Sequence, residues 1–173
     1  MATLPVLKFP NPLLQRKSAT VTNFDEALRE LAGAMLETMY VEGGIGLAAV
    51  QVGQHKRLIV MDVRDGEGEV EMEKRNPASY VNPRILESSG EVVTEEGCLS
   101  VVDFNAEVTR AEQVLLEYET LEGETRQESM TGAKAVCVQH EIDHTRGKLF
   151  IDHLPPVKRQ LIKKRLAKLA RTG

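Results

Sequence analysis

The sequence predicts an α+β fold: a mostly antiparallel sheet packed around a central metal-binding helix, with further helices toward the N- and C-terminal ends. Three observations predict it. Helical periodicity appears early, at residues 24–41, and again late, in two stretches after residue 130. Between them lie short extended stretches punctuated by turn residues, without the strand–helix alternation of βαβ units. One of the late helices carries His140, Glu141 and His144 in the spacing H-E-x-x-H.

Taken in order, the first helix places Leu28, Leu31, Met35 and Met39 on one face, and Gly43 and Gly44 stop it. RLIVMDV (57–63) reads as a buried strand and RDGEGE as the turn that follows it. SYVNPRIL and GEVVTEEG read as short extended pieces around Pro83 and Gly90. QVLLEYET (113–120) is a strand, LEGE a turn, and 125–130 its hairpin partner. The next helix runs from Thr131, an N-cap residue, to Gly147, a C-terminal stop. A last helix follows Pro155 and Pro156. No repeat or low-complexity segment interrupts this pattern. The chain therefore reads as one domain over residues 1–154 with a basic helix, 155–173, appended to it.

Composition narrows the function classes. With 173 residues, 42% apolar and 28% charged, the chain can bury a core. It has no Trp, and aromatics make up 4%, so that core is mostly aliphatic. No run approaches the roughly 18 apolar residues of a membrane span. The opening MATLPVLKFPNP lacks the basic-then-apolar pattern of a signal peptide. Two cysteines, Cys98 and Cys137, suit reduced thiols better than a disulfide framework. A cytoplasmic protein that avoids membranes is expected. Charge is uneven: residues 153–173 hold seven Lys or Arg and no acid, while the other 152 hold 15 basic and 26 acidic side chains. So acidic a body argues against general nucleic-acid binding.

Residues four apart on a helix lie on one face about 6 Å apart, so His140 and His144 can reach one ion together. Glu141 can lean toward a water on that ion, whose pKa the ion lowers toward ~7, and can take and return its proton. A third ligand is missing from the motif. No Glu follows His144, as a thermolysin-like site requires, and Phe150 stands where a metzincin carries its third His. Candidates are Cys98, Cys137, His55, His153, Asp152 and upstream acids. Cys137 shares the helix with both histidines. It lies seven residues, about 10.5 Å, from His144, so the three cannot converge on one ion. His153 lies beyond the helix end. Cys98, in EEGCLS, sits outside the helix after a glycine and can approach from the other side, which makes it the preferred candidate.

Three stretches, GIGLAAVQ (44–51), EGCLS (96–100) and QHEIDH (139–144), resemble in order and separation the three signature motifs of the peptide deformylases. NPRI, GKLF and the first helix resemble bacterial members as well. The resemblance implies removal of the formyl group from N-formylmethionine on nascent polypeptides, with Cys98, His140 and His144 holding one divalent metal ion. Fe2+ is the expected native ion, with Zn2+, Ni2+ or Co2+ as substitutes, and a Cys–His–His set suits several of these. Glu141 would be the general acid/base acting on the metal-bound water that attacks the formyl carbonyl. The Gln51 side-chain amide and the Leu99 backbone N–H would face the developing oxyanion, a role worth about 3 kcal/mol per donor in comparable hydrolases. Gly44 and Gly46 would let a peptide substrate pass close, docked as an added strand. Ile45 would line the methionine pocket with Val136 and Cys137 beneath. Three departures stand out: Val50 where Pro is common, Val102 in another Pro slot, and Asn105 near the place of a substrate-reaching Arg. The last helix places Val157, Leu161, Ile162, Leu166 and Leu169 on a broad apolar side among its cations. By resemblance this helix would dock on the ribosome, and a monomer is expected.

Overall fold

Strand β2 (Leu58–Met61) is the clearest case of sequence dictating position. All four of its residues are buried, because the strand is covered on both faces. Its alternation sends Leu58 and Val60 toward helix α1 (Glu26–Val41), and Ile59 and Met61 toward helix α2 (Gly132–Thr145). An unbroken apolar run is what a doubly covered strand requires. The computed structural model in which this is seen describes residues 3–63 and 75–172. The expected turn at RDGEGE lies outside the described residues.

Helix α1 begins where Asp25 caps it, its side chain accepting the Leu28 N–H at 3.0 Å. It ends before Gly43, whose φ of +74° turns the chain toward strand β1 (Gly46–Ala48). Four more strands complete one five-stranded antiparallel sheet or frame the cleft beside it: β3 (Ala78–Ser89), β4 (Val92–Cys98), β5 (Val101–Arg110) and β6 (Gln113–Glu119). With β7 (Thr125–Thr131) the large sheet has the order β1-β2-β3-β6-β7, while β4 and β5 pair separately as a hairpin. Helix α2 lies on the large sheet through Ala135, Val138 and Ile142 against Ala48, Tyr80 and Leu116.

The structure corrects the sequence reading in three places. β5 is a full strand that no expectation covered. Its inward positions are Val101, Ala106, Val108 and Arg110, and a buried arginine interrupts the apolar alternation by which a strand is recognised. β1 is likewise a strand inside a stretch read only as a motif. Thr131 is the N-cap of α2, as expected, though its side chain makes no capping bond. Helix α3 (Pro156–Thr172) uses only part of its apolar side: Leu166 is buried and Ile162 packs beside it against Phe150, Ile151 and Val101. Val157, Leu161 and Leu169 are exposed. No helix among the described residues is long and apolar enough to cross a membrane.

Gly147 ends α2 at φ +76°, donating its N–H to the His144 carbonyl at 3.1 Å. A Cβ there would overlap the backbone carbonyl of Gln15, so both the dihedral and the space demand glycine. Gly147→Ala is expected to lower unfolding stability by about 2–4 kcal/mol, read as a fall in the thermal midpoint.

Candidate metal centre

Three donor groups converge beside a cleft of about 760 Å³; Cys98 and His140 line it, and His144 is fully buried behind them. Helix α2 supplies His140 and His144, one turn apart. The end of strand β4 supplies Cys98 from outside the helix. Their ligand atoms all lie within 4.8 Å of one another. Nε2 of His144 is 3.2 Å from Nε2 of His140 and 3.4 Å from Sγ of Cys98. Burial pushes the pKa of His144 well down, toward the neutral imidazole a ligand requires, and the neighbouring His140 adds to this.

The other candidate third ligands stand elsewhere. Nε2 of His153 binds Asp143 Oδ2 at 2.7 Å, and His55 lies 3.3 Å from the Leu13 carbonyl. Asp152 takes the Leu149 N–H and pairs with Lys163 at 2.9 Å. Cys137 faces the Ile45 carbonyl at 3.9 Å, and burial pushes its thiol well up, away from the thiolate form.

Glu141 lines the same cleft. Its side chain is 3% exposed, with Oε1 at 3.8 Å from Nε2 of His144. Its Oε2 is buried and has no hydrogen-bond partner among the described residues. Burial raises its pKa to about 7. A buried carboxylate oxygen without a hydrogen-bond partner is costly. Converging imidazole nitrogens and a thiol beside it make the donor set one that a divalent cation completes.

Four residues to which the sequence reading gave no such role hold His140 in place. Its Nδ1 bonds Glu96 Oε1 at 2.8 Å, which leaves Nε2 free for the ion. Glu96 takes two bonds from Arg110, each at 2.8 Å, and Arg110 reaches Asp143 at 2.7 Å. His153 closes the chain on Asp143. Burial alone would raise the pKa of both carboxyls. The bonds from Arg110 and His140 hold Glu96 at about 2, and those from His153 and Arg110 hold Asp143 at about 2. Glu96 and Asp143 lay inside the quoted motifs EGCLS and QHEIDH, but without a role there. Arg110, Asp143 and His153 are 14, 47 and 57 residues further along the chain, so no local pattern joins them. Both carboxyls titrate lower folded than unfolded. Their stabilisation is therefore present above the unfolded carboxylate range and is lost as pH falls from about 4.5 to 2. Thermal unfolding across that window is expected to lose about 3 kcal/mol through Glu96 alone, and Glu96→Gln is expected to flatten the slope.

The remaining expected residues line the cleft: Gly44, Ile45, Gly46, Gln51, Leu99, Val136 and Cys137. Gln51 is buried. Its Oε1 accepts the Ala48 N–H at 2.9 Å, and its Nε2 donates to Ser100 Oγ at 3.0 Å and faces Cys98 Sγ at 3.6 Å. The Leu99 carbonyl accepts from Lys8 Nζ at 2.7 Å, which ties the turn to the N-terminal segment. A Cβ on Gly46 would stand 2.9 Å from Cys137 Sγ and 3.0 Å from Glu141 Cγ, so glycine here lets β1 pass against the acid.

An α+β scaffold with a His-Glu-x-x-His helix facing a cysteine across a cleft defines a metal-site hydrolase. The comparisons make the class particular: residues 3–160 match the family model described as polypeptide deformylase. The chain belongs to that family. It is 45% identical to a peptide deformylase of Alkalilimnicola ehrlichii, over 100% of this chain and 94% of that one. It is 46% identical to peptide deformylase 1 of Shewanella oneidensis, over 99% and 98%. Among solved structures, the peptide deformylase of Legionella pneumophila superposes with a TM-score of 0.88 at 39% identity, covering 99% of this chain and 97% of that one. The peptide deformylase of Ehrlichia chaffeensis in complex with actinonin gives 0.90 at 35%, covering 99% of each.

Proposed function

We propose that this chain removes the formyl group from the N-formylmethionine of nascent polypeptides, with Glu141 as general acid/base. The observation that carries this reading is the Glu141 carboxyl: buried, unpaired at Oε2, poised near pKa 7 by burial, and lining the cleft beside His140 and Cys98. Cys98, His140 and His144 would hold one divalent ion, Fe2+ natively, which when bound supplies Lewis acidity to water and to the formyl oxygen.

The protein's own groups do the rest. Glu141 takes a proton from the attacking water and gives it to the departing amine nitrogen. The Nε2 of Gln51 exchanges a present bond for one to the developing oxyanion, and the Leu99 N–H supplies a second. β1 is the edge strand of the large sheet, so Gly44–Gly46 offer an open side to an extended substrate backbone. Ile45, Val136 and Cys137 give the methionine side chain an apolar seat. Asn105 lies over Gly97 and provides no charge there, so contacts beyond the methionine are weaker than an arginine would make.

The protein acts as a cytoplasmic monomer on this reading, with α3, its seven cations of residues 153–173 and its exposed Val157, Leu161 and Leu169 turned to the ribosome. Anaerobically purified protein of measured metal content, given formyl-Met-Ala-Ser, is expected to release formate. Silence from fully loaded protein, or cleavage of an internal peptide bond, would overturn the assignment.

A further inference from the structure

The C-terminal end of α2 is surrounded by a second basic surface, separate from α3. Three short segments meet there. Ala19 bridges Lys56, with its N–H on the His55 carbonyl and its carbonyl on the Arg57 N–H, both at 2.9 Å. The Ser18 N–H binds the Thr145 carbonyl at 2.8 Å, and Gly147 packs on the backbone of Gln15. These contacts gather Arg16, Lys17, Lys56, Arg57, Arg146 and Lys148 on one patch, with no acid in residues 11–19, 49–58 or 144–149. Five of the six are exposed, and Arg57 is half-buried. Burial lowers the pKa of Arg57, and the neighbouring charges of Arg146 and Arg84 lower it further.

Among the described residues none of these six has a carboxylate within ion-pair distance. Elsewhere on the body Arg29, Arg84, Arg110, Arg126 and Lys134 each hold one. Unpaired positive charge on a body whose first 152 residues balance at −11 is therefore concentrated rather than spread. Such crowding repels itself and is relieved by a partner of dense negative charge.

We propose that this patch binds the phosphate backbone of double-helical RNA, as a contact independent of α3. Three arginines and three lysines match phosphate oxygens in charge and hydrogen bonding. None of the exposed large apolar residues lies in these segments, so nothing there would insert into a lipid surface. Residues 15–19, 55–57 and 145–148 contain no Phe, Tyr or Trp, so bases of a single strand would find no stacking platform. The choice of RNA among polyanions rests on the proposed function, because a nascent chain is presented by an RNA-built machine.

The full-length triple variant Lys17→Gln/Lys56→Gln/Arg146→Gln tests this with a 24-base-pair RNA duplex as probe. None of the three lines the cleft, so formate release from a free formyl-peptide is expected to stay unchanged and reports that the protein is folded. Duplex affinity at 100 mM salt is expected to fall about tenfold or more, and the log–log salt slope to shrink by about 3. A second triple variant, Lys158→Gln/Lys164→Gln/Lys168→Gln on α3, is expected to lower affinity additively with the first. Unchanged affinity and slope in the patch variant would overturn the proposal. Loss of binding to phosphatidylglycerol vesicles with RNA binding intact would also overturn it and assign the patch to a membrane. Failure of the wild-type protein to release formate would instead sink the substrate reading, independently of the RNA result.

Discussion

Glu141→Gln is expected to keep its metal and to lose turnover by about 10²–10⁴-fold. Glutamine preserves the shape and burial of the side chain but can neither accept nor return a proton at the relevant pH. The ligand atoms of Cys98, His140 and His144 are untouched, so metal content per chain is expected to match the parent. A second readout comes from the metal-free protein. Buried Glu141 holds its proton up to about pH 7, whereas unfolded it releases it near 4.5. At this group the folded form thus binds more protons in that window, and the contribution of Glu141 to metal-free stability falls by about 3 kcal/mol as pH rises from 4.5 to 7, while His144, held well down, contributes in the opposite sense. The glutamine variant should lack this slope. Undiminished formate release by the variant would remove Glu141 from the chemistry.

Cys98→Ala is expected to weaken metal affinity by more than about a hundredfold, since loss of a direct ligand must exceed the 10–100-fold typical of its hydrogen-bonded supports. Two imidazoles one turn apart remain, without the donor that approaches from the opposite wall. Cys137→Ala is the matched control. It removes the other thiol from the same cleft, but one that burial keeps protonated and that faces the Ile45 carbonyl. Metal analysis of both variants, purified without oxygen, decides the ligand. Metal lost in the Cys137 variant and kept in the Cys98 variant would reverse the assignment.

The two ends of the chain were legible because their signals are local. Leu28, Met35 and Met39 show the helical period directly, and all three are buried in α1. His140 and His144 meet on one turn because the helix itself fixes their spacing. Cys98 could be preferred by elimination alone, and the family motifs then singled it out. What stayed hidden depends on distant pairing. β5 escaped because Arg110 occupies an inward position that only Glu96 and Asp143, on other elements, make tolerable. The support of His140 escaped for the same reason. The split of the α3 apolar side into buried Leu166 and exposed Leu161 depends on where Phe150 and Val101 stand, which helical periodicity does not record.

The short run from Glu96 to Leu99 has an implication for how this protein can change. Within four consecutive residues it carries the partner of His140, a glycine under Asn105, the proposed metal ligand Cys98 and the proposed oxyanion donor Leu99, and the strand pairing slips register between Glu96 and Cys98. Removing or inserting one residue here would swap inward and outward side chains and misplace all of these together. Length variation among descendants of this chain should therefore collect at the far end of the hairpin, near Gly90 and Glu91, while the run itself admits no change of length.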